Sequence, residues 1–261
     1  MICYAARARI AWKGGCSGLL LACLGALLPN APPAAASDPP DKRLAYHESA
    51  PAWLRAVGSL KVPGQRVTEG RRNHYLEDCS ATLVATGGDR QADIIITAWH
   101  CLALYGDLSK PITFTLLMET EHPLVREARR LADGGSMHAA WAVLRLATPV
   151  PSDRVVALTL DPGRADPQRS VAMAGYSRDD GLGRGGERLT YDPDCNITLQ
   201  QRRASESDCI AYRGASGGAV VQLSARGVPQ LTGVLSRGDS EGVSIFVPVS
   251  DFRSAVRRFL R

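Results

Sequence analysis

Two short segments of this 261-residue chain carry side chains able to do chemistry. In Ile95-Ile96-Thr97-Ala98-Trp99-His100-Cys101, an apolar run ends on a histidine beside a cysteine. In Gly214-Ala215-Ser216-Gly217-Gly218, a serine sits in a glycine-dense turn ahead of a second apolar run. A serine hydroxyl becomes a nucleophile when a base accepts its proton, and histidine has the unperturbed pKa for that near neutrality. Acyl chemistry also needs backbone N–H groups aimed at the developing oxyanion, and glycines let a turn expose them. Each half alone is unspecific: a histidine at a strand end is more often structural, and such a turn is often only a turn.

Order along the chain excludes the nearest rivals. Gly214-x-Ser216-x-Gly218 also fits the nucleophile elbow of α/β-hydrolases, in which the histidine follows the serine. Here His47, His74, His100, His122 and His138 all precede Ser216. Gly181-x-Gly183-x-x-Gly186 matches the dinucleotide fingerprint by letter, but Glu187 to Pro193 offers no convincing helix to hold a pyrophosphate, so a flexible surface loop is expected there. No CxxC or HExxH occurs, and no metal or other cofactor is expected.

The elements that must position these residues read as β. From Ala56 on, short apolar runs are punctuated by Gly, Pro and Asp. Strands are predicted at 56–62, 79–86, 94–99, 112–118, 141–146, 155–160, 171–176, 219–223, 231–236 and 243–247. Spacing of this kind suggests a sandwich or a pair of barrels rather than βαβ units. One helix is predicted, at the C-terminus. Ser250 would cap it, Asp251 would sit in its first turn, and Phe252, Val256, Phe259 and Leu260 make its apolar stripe. Residues 37–55, with a Pro- and charge-rich start, read as a leader whose first part, 37–50, is flexible.

The N-terminal 36 residues read as a signal peptide. Arg7, Arg9 and Lys13 precede the apolar run Gly18 to Leu28, and Ala34-Ala35-Ala36 supplies a small-residue cleavage pattern. The run is short for a bilayer span, and lipidation at Cys23 is the weaker alternative. Without that segment 28 basic face 26 acidic side chains, too even a balance for a nucleic-acid binder. The expectation is a secreted or periplasmic protein with no membrane span. Cys3, Cys16 and Cys23 fall in the segment to be removed, leaving Cys79, Cys101, Cys195 and Cys209, an even set for an oxidising compartment. Four cysteines allow three pairings. The local ones, Cys79–Cys101 and Cys195–Cys209, close short loops.

Taken together and in this order, the segments resemble the trypsin/chymotrypsin-like serine proteases. Thr97-Ala98-Trp99-His100-Cys101 is similar to that family's histidine box, Cys79-Ser80-Ala81-Thr82-Leu83-Val84 to the strand before it, and Gly214 to Gly218 to its serine box. Asp208-Cys209 resembles the bacterial, glutamyl-endopeptidase-like branch. The resemblance spans roughly residues 56–261. It implies an all-β fold of two antiparallel six-stranded β-barrels with a C-terminal helix, dividing near 135–155. It implies His100 as base, Ser216 as nucleophile, the N–H groups of Gly214 and Ser216 as oxyanion hole, and Cys79–Cys101 as a disulfide. The strands Leu231–Gly238 and Gly242–Pro248 resemble those flanking the substrate pocket, which puts Ser236, Arg237 and Gly238 beside a peptide or protein substrate.

Two positions depart from that family. Its third catalytic residue is an aspartate, and the matching position in Ala140-Trp141-Ala142-Val143-Leu144-Arg145-Leu146 is Ala140. Three explanations compete: another carboxylate, Asp133 or Asp107, serves His100; the site works as a weak dyad; or the chain binds peptide without cutting it. The other departure is Ala215, where many members carry an aspartate that pairs with a freshly cleaved N-terminus. Ile210 falls at the pocket floor, so a trypsin-type preference is not supported. Asp239 and Glu241 would favour a basic substrate residue and Arg237 an acidic one.

Overall fold

In the computed structural model, which describes residues 41–106 and 109–260, β-branched and apolar runs broken by Gly, Pro and Asp form fifteen strands among the described residues. A two-residue strand, β1 (Leu44–Ala45), precedes β2 (Val57–Thr68), β3 (Arg71–Ala85), β4 (Gln91–Thr97), β5 (Ile112–Leu116), β6 (Leu124–Asp133) and β7 (Ala142–Pro151). Antiparallel pairing runs β2–β3–β4–β7–β6–β5 and returns to β2, closing a six-stranded barrel. Leu60, Leu83, Ile95, Phe114 and Leu144 fill it, all fully buried.

The chain continues through β8 (Leu158–Leu160), β9 (Val171–Tyr176), β10 (Leu189–Cys195), β11 (Ile197–Gln200), β12 (Ser205–Ser207), β13 (Ala219–Leu223), β14 (Pro229–Gly238) and β15 (Ser244–Pro248). Here the antiparallel order is β10–β9–β13–β14–β15–β12, with β11 paired to β12 and β1 on the outer edge of β10. No described backbone pairing joins β10 to β12; the Cys195–Cys209 disulfide spans that seam instead. Met173, Val220, Leu235 and Phe246 form this core. Short β8 lies parallel to both β3 and β14, which ties the two halves side by side. All described residues belong to one unit by chain contacts.

Several sequence expectations change here. The segment β6 carries Arg126, Glu127, Arg129 and Arg130, which hid a strand whose alternate residues face solvent on a barrel wall. Residues 181–188 are turns around a short 3-10 segment, but Leu189 to Cys195 form a strand the sequence did not reveal: β10 is largely buried against β9, where Tyr191 and Thr190 pack. The C-terminal helix shrinks to one turn, α1 (Arg253–Arg257). Ser250 does not cap it; residues 249–251 make a 3-10 turn, and the Ser250 hydroxyl bonds the Asp251 carboxylate. The stripe persists because Phe252 and Val256 are buried, Phe252 stacking on Trp141 at 5.2 Å. The expected flexible leader is docked over its described part: Leu44 and Ala45 pair with β10, and Arg43 is only 5% exposed.

The expected signal peptide, Cys23 and Asp107 lie outside the described residues. Among those described, no helix is long and apolar enough to cross a membrane.

Candidate active site

The histidine segment is held by its own strand and a disulfide. Thr97 ends β4, and Trp99–Leu102 forms a 3-10 turn that carries His100 off the strand end. Cys101, one residue on, is bonded to Cys79 on β3. The serine segment meets it through Ser80, the residue after that cysteine. The Ser80 N–H donates to the Ser216 carbonyl at 2.7 Å, and its hydroxyl donates to the Gly214 carbonyl at 2.9 Å while accepting the Tyr176 N–H at 2.8 Å. The Ser80 carbonyl accepts the Thr97 hydroxyl at 2.7 Å. One fully buried serine thus stitches both segments together, and Cys101 Sγ lies 3.8 Å from the Ser216 carbonyl. Reading by motif overlooked Ser80, because a serine inside a strand carries no signal of a role.

The turn itself needs its glycines. Gly214 has φ +90, and a Cβ there would lie 2.5 Å from the Tyr176 carbonyl. The Arg213 carbonyl accepts the Arg178 N–H at 2.6 Å. In a planar trans peptide the carbonyl and the following N–H point in opposite directions. Tying back the Arg213 carbonyl therefore turns the Gly214 N–H to the other side of the chain. Among the described residues, neither the Gly214 nor the Ser216 N–H donates to a protein acceptor. Two such free donors are what an oxyanion requires.

Among the described contacts, Ser216 and His100 are not hydrogen-bonded to one another. The Ser216 hydroxyl donates to the Ser236 carbonyl at 3.2 Å. Ser236 sits at an irregularity of β14, where the register against β15 shifts between Leu235 and Arg237. Apo sites often show such loose geometry, which tightens on substrate.

The position where the resemblance expects an aspartate lies beside two unpartnered polar atoms. Thr97 pairs with Ala142, so Ala140 lies just past that pairing, at the end where the chain leaves β4 for His100. Ala140 is fully buried. His100 Nδ1 and Ser236 Oγ are both buried with no hydrogen-bond partner. Asp133 does not substitute: its carboxylate is engaged by Arg130 and by the Gly135 N–H. Burial, and secondarily the positive charge of Arg237, hold His100 below its ordinary value of 6.5. No carboxylate counters them.

This sets a sign for pH. For a reaction in which His100 is the base, as the resemblance implies, the neutral imidazole accepts the proton, so the acid limb of the rate profile should have its midpoint below 6.5. Folded stability should fall once pH drops below that value, since the unfolded chain then binds the proton more readily. Arg237→Met should move the limb upward. A limb at or above 6.5 in the parent protein would overturn this reading.

The four pocket candidates separate in space. Ser236 and Arg237 line a cavity of about 420 Å³ with His138, Arg202 and Arg203, and no carboxylate lines it. Ile210 is buried, and Gly238 packs against Ala211; neither lines the cavity. Asp239 is taken up by its own turn, accepting the N–H groups of Glu241, Gly242 and Val243. The cysteines near His100 and Asp192 are disulfide-bonded and offer no thiolate to a metal.

The fold is similar to that of a thermostable serine protease, AL20, from an extremophilic microorganism, with a TM-score of 0.55 and 18% identity over 78% of this chain and 96% of that one. This chain has a chymotrypsin-like fold. At that identity the likeness is one of fold. No family model and no curated protein matches the chain.

Proposed function

We propose that this chain is an exported hydrolase of the serine-endopeptidase type, cutting peptide bonds through His100 and Ser216. The observation that carries the reading is the serine turn, buttressed on the histidine strand by Ser80 with its Arg213–Gly214 peptide turned to free an N–H. His100 takes the hydroxyl proton as Ser216 attacks the carbonyl, and the Gly214 and Ser216 N–H groups receive the oxyanion. Ala140 leaves the imidazole unoriented, so turnover is slow. Two disulfides suit an oxidising compartment and support export.

The cavity beside Ser236 supports a preference for acidic residues near the cut bond, since three arginines and a histidine line it without a carboxylate. This is the property that the glutamyl-endopeptidase-like resemblance implies.

A fluorophosphonate probe should label Ser216 slowly, and Ser216→Ala should abolish labelling. A peptide library should be cut preferentially at sites with Asp or Glu close to the scissile bond. Folded protein that stays unlabelled over long exposure and leaves the library uncut would overturn catalysis. The second reading, peptide binding without turnover, is favoured by the unpartnered His100 Nδ1.

A further inference from the structure

Arg43 is the one arginine whose side chain is almost entirely enclosed among the described ion pairs, with 2% of it exposed. Its guanidinium donates to Asp41 at 2.7 and 3.0 Å and to Asp179 at 2.8 Å, and lies 4.1 Å from the centre of the Tyr212 ring. The Arg43 N–H also donates to Asp41 at 3.0 Å. Both long-range partners flank the oxyanion peptide. Asp179 follows Arg178, whose N–H holds the Arg213 carbonyl; Tyr212 precedes Arg213, and its carbonyl accepts the Ala215 N–H at 3.2 Å. Asp179 in turn accepts the Gly183 N–H at 3.1 Å, fixing the other end of its loop. The guanidinium therefore ties together the two strips of chain whose mutual bond turns the Gly214 N–H outward.

We infer that Arg43 is a positioning residue for the oxyanion hole: the leader strand delivers a buried side-chain cation that locks the Tyr212–Ala215 turn to the 178–183 loop. No N-terminal ammonium is needed for this, and none could be paired at Ala215, which is buried and uncharged. The site is thereby assembled whatever residue the chain begins on, provided that residues 41–45 are docked. Burial opposes the charge of Asp179, but its bonds from Arg43 and Gly183 outweigh that and hold the carboxyl below its ordinary range. The clamp then persists at neutral pH and loosens as pH falls through that lowered value.

The inference rests on the proposed hydrolase, and its test separates the two. Arg43→Gln and Asp179→Asn in the full chain, both checked by thermal melt, should lower kcat at least about 10-fold with KM little changed, against about 10²–10³ for outright loss of an oxyanion donor. The double variant should lose no more than the worse single one. Arg43→Lys, which keeps the charge, should recover part of the rate. The full 261-residue chain should label with fluorophosphonate as fast as one trimmed ahead of Asp41. Amide exchange in 176–180 and 210–217 should quicken in Arg43→Gln while exchange in β2–β4 stays as it was. A parent protein that never labels defeats the hydrolase reading, and exchange then judges the clamp alone. Unchanged exchange in 210–217, or labelling that begins only after trimming, would overturn the inference.

Discussion

Ala140→Asp should raise the hydrolysis rate by at least 100-fold, and by up to about 10⁴, the inverse of the loss seen when a triad aspartate is removed. A factor of 10⁴ corresponds to about 5.5 kcal/mol of barrier. The expectation rests on two orphans. His100 Nδ1 and Ser236 Oγ are both buried without a partner, and a carboxylate accepts hydrogen bonds from a ring N–H and from a hydroxyl. Bonded so, the imidazole would hold one tautomer, and the imidazolium formed during attack would be stabilised. The same carboxylate would raise the His100 pKa, so the acid limb of the rate profile should move up in step with the gain. Rate and limb together distinguish restored orientation from a general change in packing. The cost is a charge placed where Ala140 is fully buried, so the variant must first melt cooperatively. A folded variant with no gain and an unmoved limb, peptide binding being intact, would mean a cleft kept for recognition.

Gly217→Ala should unmake the site and destabilise the whole protein. Gly217 has φ +84, and a Cβ there would lie 2.1 Å from the Ser80 carbonyl, 2.1 Å from Thr97 Oγ1 and 2.9 Å from the Ala98 nitrogen. These are backbone and buried side-chain atoms, and the nearest two are already bonded to one another, since Thr97 donates to that carbonyl. They cannot swing aside. Left-handed strain costs about 1–2 kcal/mol and overpacking of a tight contact about 1–3 kcal/mol more, so a loss of roughly 2–5 kcal/mol is expected. Gly227→Ala is the control: it shares a positive φ, +74, but has nothing within 4 Å, and should cost only the strain. Chemical denaturation of both variants measures the difference, and fluorophosphonate labelling of Gly217→Ala should vanish even where the variant stays folded. Equal losses for the two glycines would show that the Ser80–Thr97 contact is not rigid.

By itself the sequence carried the candidate site residues and most of the strands that hold them. Val171–Tyr176 and Ala219–Leu223 coincide with their predicted bounds, because apolar runs flanked by turn residues leave a strand little choice. The histidine and serine segments were legible as local types and spacings, as was the alanine where the resemblance expects an acid. Tertiary structure decided the rest. The wall strand β6 holds five charged side chains, and only the barrel, which wets its outer face, makes it a strand. Whether Asp133 reached His100 depended on Arg130 and Gly135 engaging that carboxylate first. Ser80 and Arg43 acquired their roles from partners more than 90 residues away, Gly214, Tyr176 and Asp179. A short-range pattern records which face of an element is apolar, whereas a hydrogen bond or ion pair between distant segments exists only once burial has brought them together and removed the competing water.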